Sequence, residues 1–284
     1  MTRRFDWTDY RAAEYAAIDP ACTIAILPTA AIEQHGPHLP VGTDTMIAQG
    51  MLAHLRAACP EDLDIRILPV QAVGKSNEHL FAPGTLTLSA ETALRAWVEI
   101  GLSVRRAGLR KIVLVNSHGG NLDLVSILSR ELRVRAGMLA VKCQWSGFGA
   151  PPGLYSPHEL AFGIHGGDME TSLMLAFRPE TVDMAAARNF ASTAEGAAIS
   201  PTGPLSYGWI ATDLNPAGTV GDASAGTAEK GRATVAHQVT GFIDLLYRVR
   251  DADLTGFDPV SNQFQRFSPG PLDLATSRPP IGGG

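Results

Sequence analysis

Cysteine, charge and long apolar runs are all scarce in this sequence. Its three cysteines, Cys22, Cys59 and Cys143, lie far apart and form no Cys-x-x-Cys pair, which argues against a disulfide framework and a thiolate zinc site. No segment approaches the ~18 consecutive apolar residues of a membrane span. Charged residues also interrupt the stretch 5–21, where a signal peptide would need an apolar core. We therefore expect a cytoplasmic protein with no membrane partner.

Charged residues make up 18% of the chain, below the ~25% that is usual in globular proteins. The net charge is −5, from 23 Lys and Arg against 28 Asp and Glu, so no general electrostatic attraction to nucleic acid is expected. A Rossmann nucleotide site is also disfavoured, because no Gly-x-Gly-x-x-Gly follows the first predicted strand. Against this low charge, the eight histidines need an explanation.

Short apolar runs alternate with amphipathic stretches of helical spacing along most of the chain. Strands are predicted at 23–27, 65–68, 111–115 and 139–144. Helices are predicted at 44–58, with Thr43 or Asp44 as N-cap, and at 89–106, 122–136, 168–177 and 223–250. This alternation is typical of βαβ units, and it predicts an α/β fold with a mainly parallel sheet covered by helices on both faces.

The chain shows no repeat and no shift of composition that would divide it, so residues 1–284 are interpreted as one domain with its core at about 20–250. Residues 191–222 are rich in small residues and predict a long loop or an excursion of short strands. The final helix is expected to be broken early by Gly226 and Gly231. The tail 268–284 is predicted to be extended.

Metal-ligand residue types gather where the predicted strands end. Glu33 and His35 follow the first strand two residues apart, so in an extended segment both point to the same side. Asp44 begins a predicted helix, His118 follows the third strand, and Glu170 lies near the start of another helix. In parallel sheets the ligand site lies outside the carboxyl ends of the strands. We therefore expect these side chains to meet there.

This donor set suits Zn²⁺ or Mn²⁺, and also Fe²⁺. With Asp44 as a bridge, it is large enough for two metals ~3.5–4 Å apart. Each residue also has an ordinary structural interpretation. Glu33 can be a solvated acid, His35 a loop histidine bonded to the local backbone, and Asp44 or His118 a helix cap.

Four blocks of the sequence resemble the creatininase (creatinine amidohydrolase) family in their order and separation. They are Glu33-Gln-His-Gly-Pro-His-Leu-Pro40 with Thr43-Asp-Thr45, Gly74-Lys-Ser-Asn-Glu-His79 with Pro83-Gly-Thr85, Asn116-Ser-His-Gly-Gly-Asn121, and His165-Gly-Gly-Asp-Met-Glu-Thr-Ser172. The resemblance implies a three-layer α/β/α domain, a hydrolase with a binuclear divalent-metal site, and a homohexamer.

By this resemblance, Glu33, Asp44 and His118 hold one metal, and His35 and the shared Asp44 hold the second with one further carboxylate. Creatinine-hydrolysing members supply that carboxylate two residues after the histidine, where this chain has Gly120. Glu170 is the expected substitute. Gly119 also replaces the aromatic residue that follows the histidine in those members, so creatinine itself is not the expected substrate.

The expected chemistry is attack on an amide carbon by water that a metal has acidified from a pKa of 15.7 toward ~7. His165 is the candidate general acid/base, and Glu170 is assigned to the catalytic set as well as to the metal. The residues expected to contact substrate are Ser76, Glu78, His79, Gly119 and Gly120. Glu78 has two further interpretations, as a group that orients a ligand histidine or as a loop ion pair.

The leading interpretation is a metal-dependent amidohydrolase that cleaves a C–N bond of a small cyclic amide, as in creatinine, or of a formamide. The small Gly119-Gly120 pair leaves room for a bulkier substrate. Cleavage of a peptide or of a cyclic keto-sugar therefore remains open as an alternative. An α/β binding module that holds metal without catalysis is a third interpretation.

Overall fold

The predicted strands form one parallel sheet in the computed structural model, which describes residues 3–259. The strands are β1 (Ile24–Thr29), β2 (Ile65–Ile67), β3 (Lys111–Asn116) and β4 (Leu139–Gln144). Their order across the sheet is β2-β1-β3-β4, and all neighbours are parallel. Every residue of β1, β2 and β3 is buried, as expected for strands covered on both faces.

Strand β1 continues two residues beyond its predicted end at Leu27, through Pro28 to Thr29. The carbonyl of Pro28 accepts a hydrogen bond from Gln71 N, which follows β2 in the chain. The nitrogen of Pro28 therefore faces the side where β2 has already ended at Ile67. A proline is tolerated here because no neighbouring strand requires its missing N–H.

Helices cover both faces of the sheet. They are α1 (Ala12–Tyr15), α2 (Thr43–Ala58), α3 (Ala90–Arg106), α4 (Leu122–Ala136), α5 (Pro157–Phe162), α6 (Asp168–Phe177), α7 (Ala211–Leu214) and α8 (Ala228–Asp251). Alternate β1 side chains divide the core: Ile24 and Ile26 pack in the cluster with α2, α6 and α8, whereas Ala25 and Leu27 pack in the cluster with α3 and α4. The α/β fold with a parallel sheet is confirmed. No helix within residues 3–259 has both the length and the apolar character needed to cross a membrane.

Between α6 and α8 the chain is mostly irregular. It contains α7 and two short antiparallel strands, β5 (Asn189–Phe190) and β6 (Gly221–Asp222). Of the two strands, β6 lies within the predicted excursion 191–222, whereas β5 precedes it. Short 3-10 turns occur at Trp7–Asp9, Asn77–His79, Gly119–Asn121, Trp145–Phe148, Pro179–Thr181 and Ala223–Ala225. The predicted extended tail, 268–284, lies outside the described residues.

The last helix begins later than its predicted start at residue 223. Gly226 separates a 3-10 turn from α8, and Thr227 caps α8 by accepting a hydrogen bond from Lys230 N. The predicted break at Gly231 is wrong, because Gly231 lies inside α8. A side chain there would overlap the carbonyl oxygen of Ser172 on α6, so the glycine permits close packing of two helices.

Replacing Gly231 with alanine is expected to lower the free energy of unfolding by about 1–3 kcal/mol, the usual cost of overpacking a core. Alanine is otherwise the better helix former, so a loss of stability would identify the α6 contact as the cause. Urea unfolding followed by circular dichroism measures the change. Gly147→Ala is the matched control, since a Cβ there meets no atom of residues 3–259 within 4 Å. Equal unfolding midpoints for both variants would contradict the packing argument.

The strand order defines a switch point between β1 and β3. From β1 the chain crosses by α2 to β2 on one side, and β3 then lies on the other side of β1. The loops that leave the carboxyl ends of β1 and β3 lead to opposite sides of the sheet, and we call the region between these two loops the crevice. Ligands of open parallel sheets bind at such a crevice.

Candidate metal centre

Glu33 and His35 lie in the loop that leaves β1, and both side chains are buried. The loop is held by backbone hydrogen bonds, among them Glu33 N to Val41 O at 2.8 Å. His35 Nδ1 lies 3.0 Å from the carbonyl oxygen of Glu33, which can only accept a hydrogen bond. This contact places a proton on Nδ1 and directs Nε2 toward the crevice.

Asp44 lies in the first turn of α2 and is 1% exposed. The N-cap position belongs to Gly42, so the predicted cap at Thr43 or Asp44 is wrong. The Asp44 carboxylate faces the crevice instead of capping the helix. Its Oδ1 is 3.4 Å from His35 Nε2, and its Oδ2 is 3.3 Å from His118 Nδ1. One carboxylate therefore lies between two histidines and offers a different oxygen to each.

His118 follows the end of β3 and faces Glu33 as well as Asp44. Its Nε2 donates to the carbonyl oxygen of Lys75 at 2.8 Å, which directs Nδ1 inward. Nδ1 is then 3.2 Å from Glu33 Oε1. From these two contacts we assign Glu33, Asp44 and His118 Nδ1 to one group of candidate metal ligands.

Glu170 approaches His35 from the first turn of α6. Its Oε2 accepts a hydrogen bond from Gly166 N at 2.5 Å and lies 3.8 Å from His35 Nε2. From these contacts we assign Glu170, His35 and Asp44 Oδ1 to a second group of candidate ligands, and His165 also offers a nitrogen within 4.8 Å of the ligand atoms of His35 and Glu170. The structure thus brings together all five residues that the sequence predicted as metal ligands.

The spacing of these atoms suits metal coordination. Tetrahedral ligands at 2.0–2.2 Å from a metal lie about 3.4 Å from one another, and the separations here are 3.2, 3.3, 3.4 and 3.8 Å. Both oxygens of Glu33, Asp44 Oδ2 and His35 Nε2 have no hydrogen-bond partner among residues 3–259. Buried polar atoms are normally paired. A group of unpaired atoms of this kind therefore fits a bound divalent cation.

The carboxyl groups of the centre have shifted pKa values. Burial opposes ionisation of Glu33, but the nearby His118, His165 and His35 outweigh it and hold the pKa of Glu33 below its ordinary value. In the same way, His35 and His118 overcome the burial of Asp44 and lower its pKa. For Glu170, burial dominates and raises the pKa to about 7.

The two candidate ligand histidines, His35 and His118, have raised pKa values in the metal-free protein. Burial disfavours their cations, but Asp44 outweighs burial at His35 and raises its pKa to about 10. Glu33 and Asp44 together hold the pKa of His118 well above its ordinary value. Without metal, protons on these rings neutralise the carboxylates that face them.

Binding of Mn²⁺ or Zn²⁺ at neutral pH is expected to release protons, because His35 and His118 must lose a proton before they can ligate. Apparent affinity should rise with pH until the pH passes the raised pKa of His35, about 10. Calorimetric titration in two buffers of different ionisation enthalpy counts the released protons. An affinity that stays constant from neutral to alkaline pH would contradict this expectation.

His165, the predicted acid/base, packs between two other rings of the centre, with ring centroids 4.2 Å from His35 and 4.4 Å from His79. Its Nε2 donates to the backbone carbonyl of Gln34 at 2.7 Å, and its Nδ1 lies 3.7 Å from Glu33 Oε1. Burial, reinforced by the charge of His35, holds the pKa of His165 well below its ordinary value. His165 is therefore neutral and offers an unprotonated nitrogen to the crevice.

The loop 74–79 supplies the other predicted contacts. Ser76 is fully buried, and its Oγ lies 3.3 Å from His118 Nε2, on the side of that ring away from Asp44. Glu78 Oε1 also approaches this outer nitrogen, at 3.6 Å. His79 instead enters the centre, with Nε2 3.4 Å from Glu33 Oε1. Ser76 and Glu78 contact the outer nitrogen of the candidate ligand His118, whereas His79 faces Glu33 and lies in a group of possible ligands with Glu33 and His165.

The two glycines after His118 differ in the space around them. A Cβ at Gly119 would meet no atom of residues 3–259 within 4 Å, so the expected room exists there. A Cβ at Gly120 would overlap Glu78 Oε1 and the carbonyl oxygen of Lys75. The expectation of room is therefore wrong at Gly120, because the loop 74–79 already fills that space.

Gln34 was not among the residues predicted for the site. In a strictly extended segment, the Gln34 side chain would point away from those of Glu33 and His35. The loop turns here, however, and Gln34 Nε2 lies 2.8 Å from His79 Nδ1. The available signal was its place between two predicted ligands, in a block shared with the family.

The parallel sheet covered by helices makes this an α/β protein, and the buried carboxylates and histidines at its switch point form a candidate metal centre. The chain belongs to the creatininase family: the family model described as creatinine amidohydrolase matches residues 8–246. The chain is therefore a hydrolase of the creatininase family.

Three relatives of this chain are named for different substrates. A mycofactocin precursor peptide peptidase of Mycobacterium ulcerans is 32% identical over 233 residues, which are 78% of this chain and 84% of the relative. A creatinine amidohydrolase of Pseudomonas putida is 30% identical over 195 residues, 63% of this chain and 72% of the relative. A 3-dehydro-scyllo-inosose hydrolase of Thermotoga maritima is 23% identical over 287 residues, 91% and 84% of the two chains.

Solved creatininase structures share the fold. A tryptophan-to-alanine mutant creatininase aligns with a TM-score of 0.71 and 22% identity, covering 88% of this chain and 100% of the other. A creatininase structure described with Mn aligns with a TM-score of 0.66 at 22% identity and the same coverage. At this identity the similarity establishes the fold alone.

Proposed function

We propose that the protein is a metal-dependent amidohydrolase that cleaves a C–N amide bond with water, and that its substrate is a peptide. The observation that carries the proposal is the position of Asp44, whose two oxygens face His35 and His118 at 3.4 and 3.3 Å. This arrangement suits a carboxylate that bridges two cations. The proposed metals are Mn²⁺ or Zn²⁺, two per chain, with Glu33 and Glu170 completing the ligand groups.

A divalent metal, when bound, supplies acidified water and polarises the carbonyl oxygen of the amide. The chain supplies the proton transfer. His165 Nδ1 is unprotonated and faces the crevice, so it can take a proton as the water oxygen bonds to the carbonyl carbon. As the C–N bond breaks, the same proton passes from His165 to the departing nitrogen. The products are a carboxylate and an amine.

A peptide substrate is favoured by the open space at Gly119 and by the relatives. Gly119 is exposed and a Cβ there would meet no atom of the described residues within 4 Å, so the chain leaves room for a larger substrate beside His118. A relative that is 32% identical over 78% of this chain is a peptide peptidase. A small cyclic amide is the second candidate, favoured by the 30% identity to a creatinine amidohydrolase.

The test uses metal-free protein that is reconstituted with Mn²⁺ or Zn²⁺ and assayed on linear peptides, creatinine and formamides. We expect peptide hydrolysis, detected by mass spectrometry as two products that together gain one water, and no hydrolysis without metal. Glu33→Gln should lower kcat/KM by at least ~100-fold, since even groups that only support metal ligands are worth 10–100-fold. The matched control is Glu99→Gln, which removes an exposed carboxylate on α3.

Hydrolysis of creatinine without hydrolysis of any peptide would favour the second candidate. Bound metal with no hydrolysis of any amide would overturn the proposed activity. Full activity in the thoroughly metal-free protein would overturn its metal dependence.

A further inference from the structure

Four histidine rings surround Glu33 and Asp44, and their hydrogen bonds do not place the protons alike. In three of them a backbone carbonyl accepts from the outer nitrogen: Glu33 O for His35, Lys75 O for His118 and Gln34 O for His165. A carbonyl can only accept, so each of these outer nitrogens carries a proton. The inner nitrogen of each ring faces the centre, where it can act as a ligand or a base once the ring is neutral.

His79 has a different partner on its outer nitrogen. His79 Nδ1 lies 2.8 Å from Gln34 Nε2, and the orientation of that amide is defined by the backbone. Gln34 Oε1 accepts a hydrogen bond from Gly36 N at 2.8 Å, whereas Nε2 also donates to the carbonyl oxygen of Gly218. If the amide were reversed, its N–H donors would face the donor Gly36 N, and its oxygen would face the acceptor Gly218 O. The group that faces His79 is therefore an N–H donor.

Because Gln34 donates to it, His79 Nδ1 must accept, and the proton of the neutral ring lies on Nε2. That N–H faces Glu33 Oε1 at 3.4 Å, longer than the 2.7–3.2 Å of a well-formed hydrogen bond. The donor is therefore directed into the centre without being fully used by Glu33. It is free to meet an oxygen of a molecule in the crevice.

We propose that Gln34 is a positioning residue that holds His79 as the tautomer protonated on Nε2, so that His79 donates a hydrogen bond to the reacting oxygen of the substrate. When all four rings are neutral and their outer hydrogen bonds decide the tautomer, His79 is the one ring of these four that presents an N–H to the centre. A donor directed at an oxygen on which negative charge develops stabilises the transition state. The role of His79 as a donor to the substrate rests on the proposed hydrolysis. The assignment of its tautomer rests only on the hydrogen bonds of Gln34.

The tautomer can be tested in the metal-free protein without any assay of activity. Long-range ¹H–¹⁵N spectra of protein with ¹⁵N-labelled histidine distinguish a protonated ring nitrogen from an unprotonated one. We expect His79 to show a protonated Nε2 and an unprotonated Nδ1, with its signals assigned by their loss in His79→Gln. Gln34→Glu replaces the donor with an acceptor and should move the proton to Nδ1. Gln71→Glu is the matched control, because it makes the same change at an amide that donates to Pro69 O, and it should leave the tautomer of His79 unaltered.

The kinetic effect follows from the tautomer. With metal bound, Gln34→Glu should lower kcat by about 100-fold or more, the scale for loss of one donor to a developing charge, and alter KM much less. Gln34→Met, which has neither donor nor acceptor, should lower kcat by a smaller factor, and it serves as the second variant if Gln34→Glu does not fold. An Nδ1-protonated His79 in the unmodified protein, or a tautomer unchanged in both variants, would overturn the inference. If no amide is hydrolysed, the proposed function fails, and the spectra still decide the tautomer.

Discussion

Replacing Asp44 with asparagine is expected to weaken binding of both proposed metals strongly and, with it, to lower amide hydrolysis. The reason is that Oδ1 faces one histidine and Oδ2 the other, so a single substitution affects both ligand groups. Asparagine keeps the shape but presents a neutral oxygen and an N–H donor in place of the anion. Each metal should bind at least ~100-fold more weakly, since even loss of a supporting partner of a ligand costs 10–100-fold. Metal analysis after gel filtration, with calorimetry, measures the loss.

Asp123→Asn is the matched control for this prediction. Asp123 also lies in the first turn of a helix, α4, but its side chain is exposed. It should retain full metal content and activity, which separates the role of the centre from any effect on a helix start. Circular dichroism shows whether Asp44→Asn remains folded. A folded Asp44→Asn protein that retains two metals would exclude Asp44 as a bridge.

Much of the fold could be predicted because the buried strands are short, apolar and separated by helical patterns. The predicted ranges of α4, β4 and α6 agree with the structure. Errors occur where a contact outweighs local preference. Gly231 would break an isolated helix, but it is retained inside α8 because α6 packs against it.

The candidate ligands could be predicted because their positions follow from backbone geometry. Glu33 and His35 share a side by alternation, and parallel strands bring the end of β3 beside them. The roles of Gln34 and Gly120 could not be predicted in this way. They depend on the path of two loops, one that turns the Gln34 amide back to His79 and one that places Glu78 over Gly120. Such contacts arise between segments far apart in the sequence, and no local pattern specifies them.

Two glutamates, Glu78 and Glu170, are candidates for the further carboxylate ligand that creatinine-hydrolysing members have at the position of Gly120. Glu78 occupies the space beside Gly120, but it approaches the outer nitrogen of His118, which already donates to Lys75 O. Glu170 approaches His35 Nε2, an inner nitrogen with no hydrogen-bond partner among the described residues. A carboxylate beside an outer nitrogen orients the ring, whereas one beside an inner nitrogen can share its metal. Glu170 is therefore the proposed ligand.

Glu170→Gln is expected to reduce the metal content from two per chain to one and to lower kcat/KM by at least ~100-fold, because a lost ligand should cost no less than a lost supporting group. The amide oxygen of glutamine can still accept from Gly166 N, so the start of α6 should keep its conformation. Glu78→Gln is the matched control. It should retain two metals and lose at most ~10–100-fold in affinity, as expected for a group that orients His118. The opposite pattern, with one metal lost in Glu78→Gln and two retained in Glu170→Gln, would assign the ligand to the loop 74–79 instead of α6.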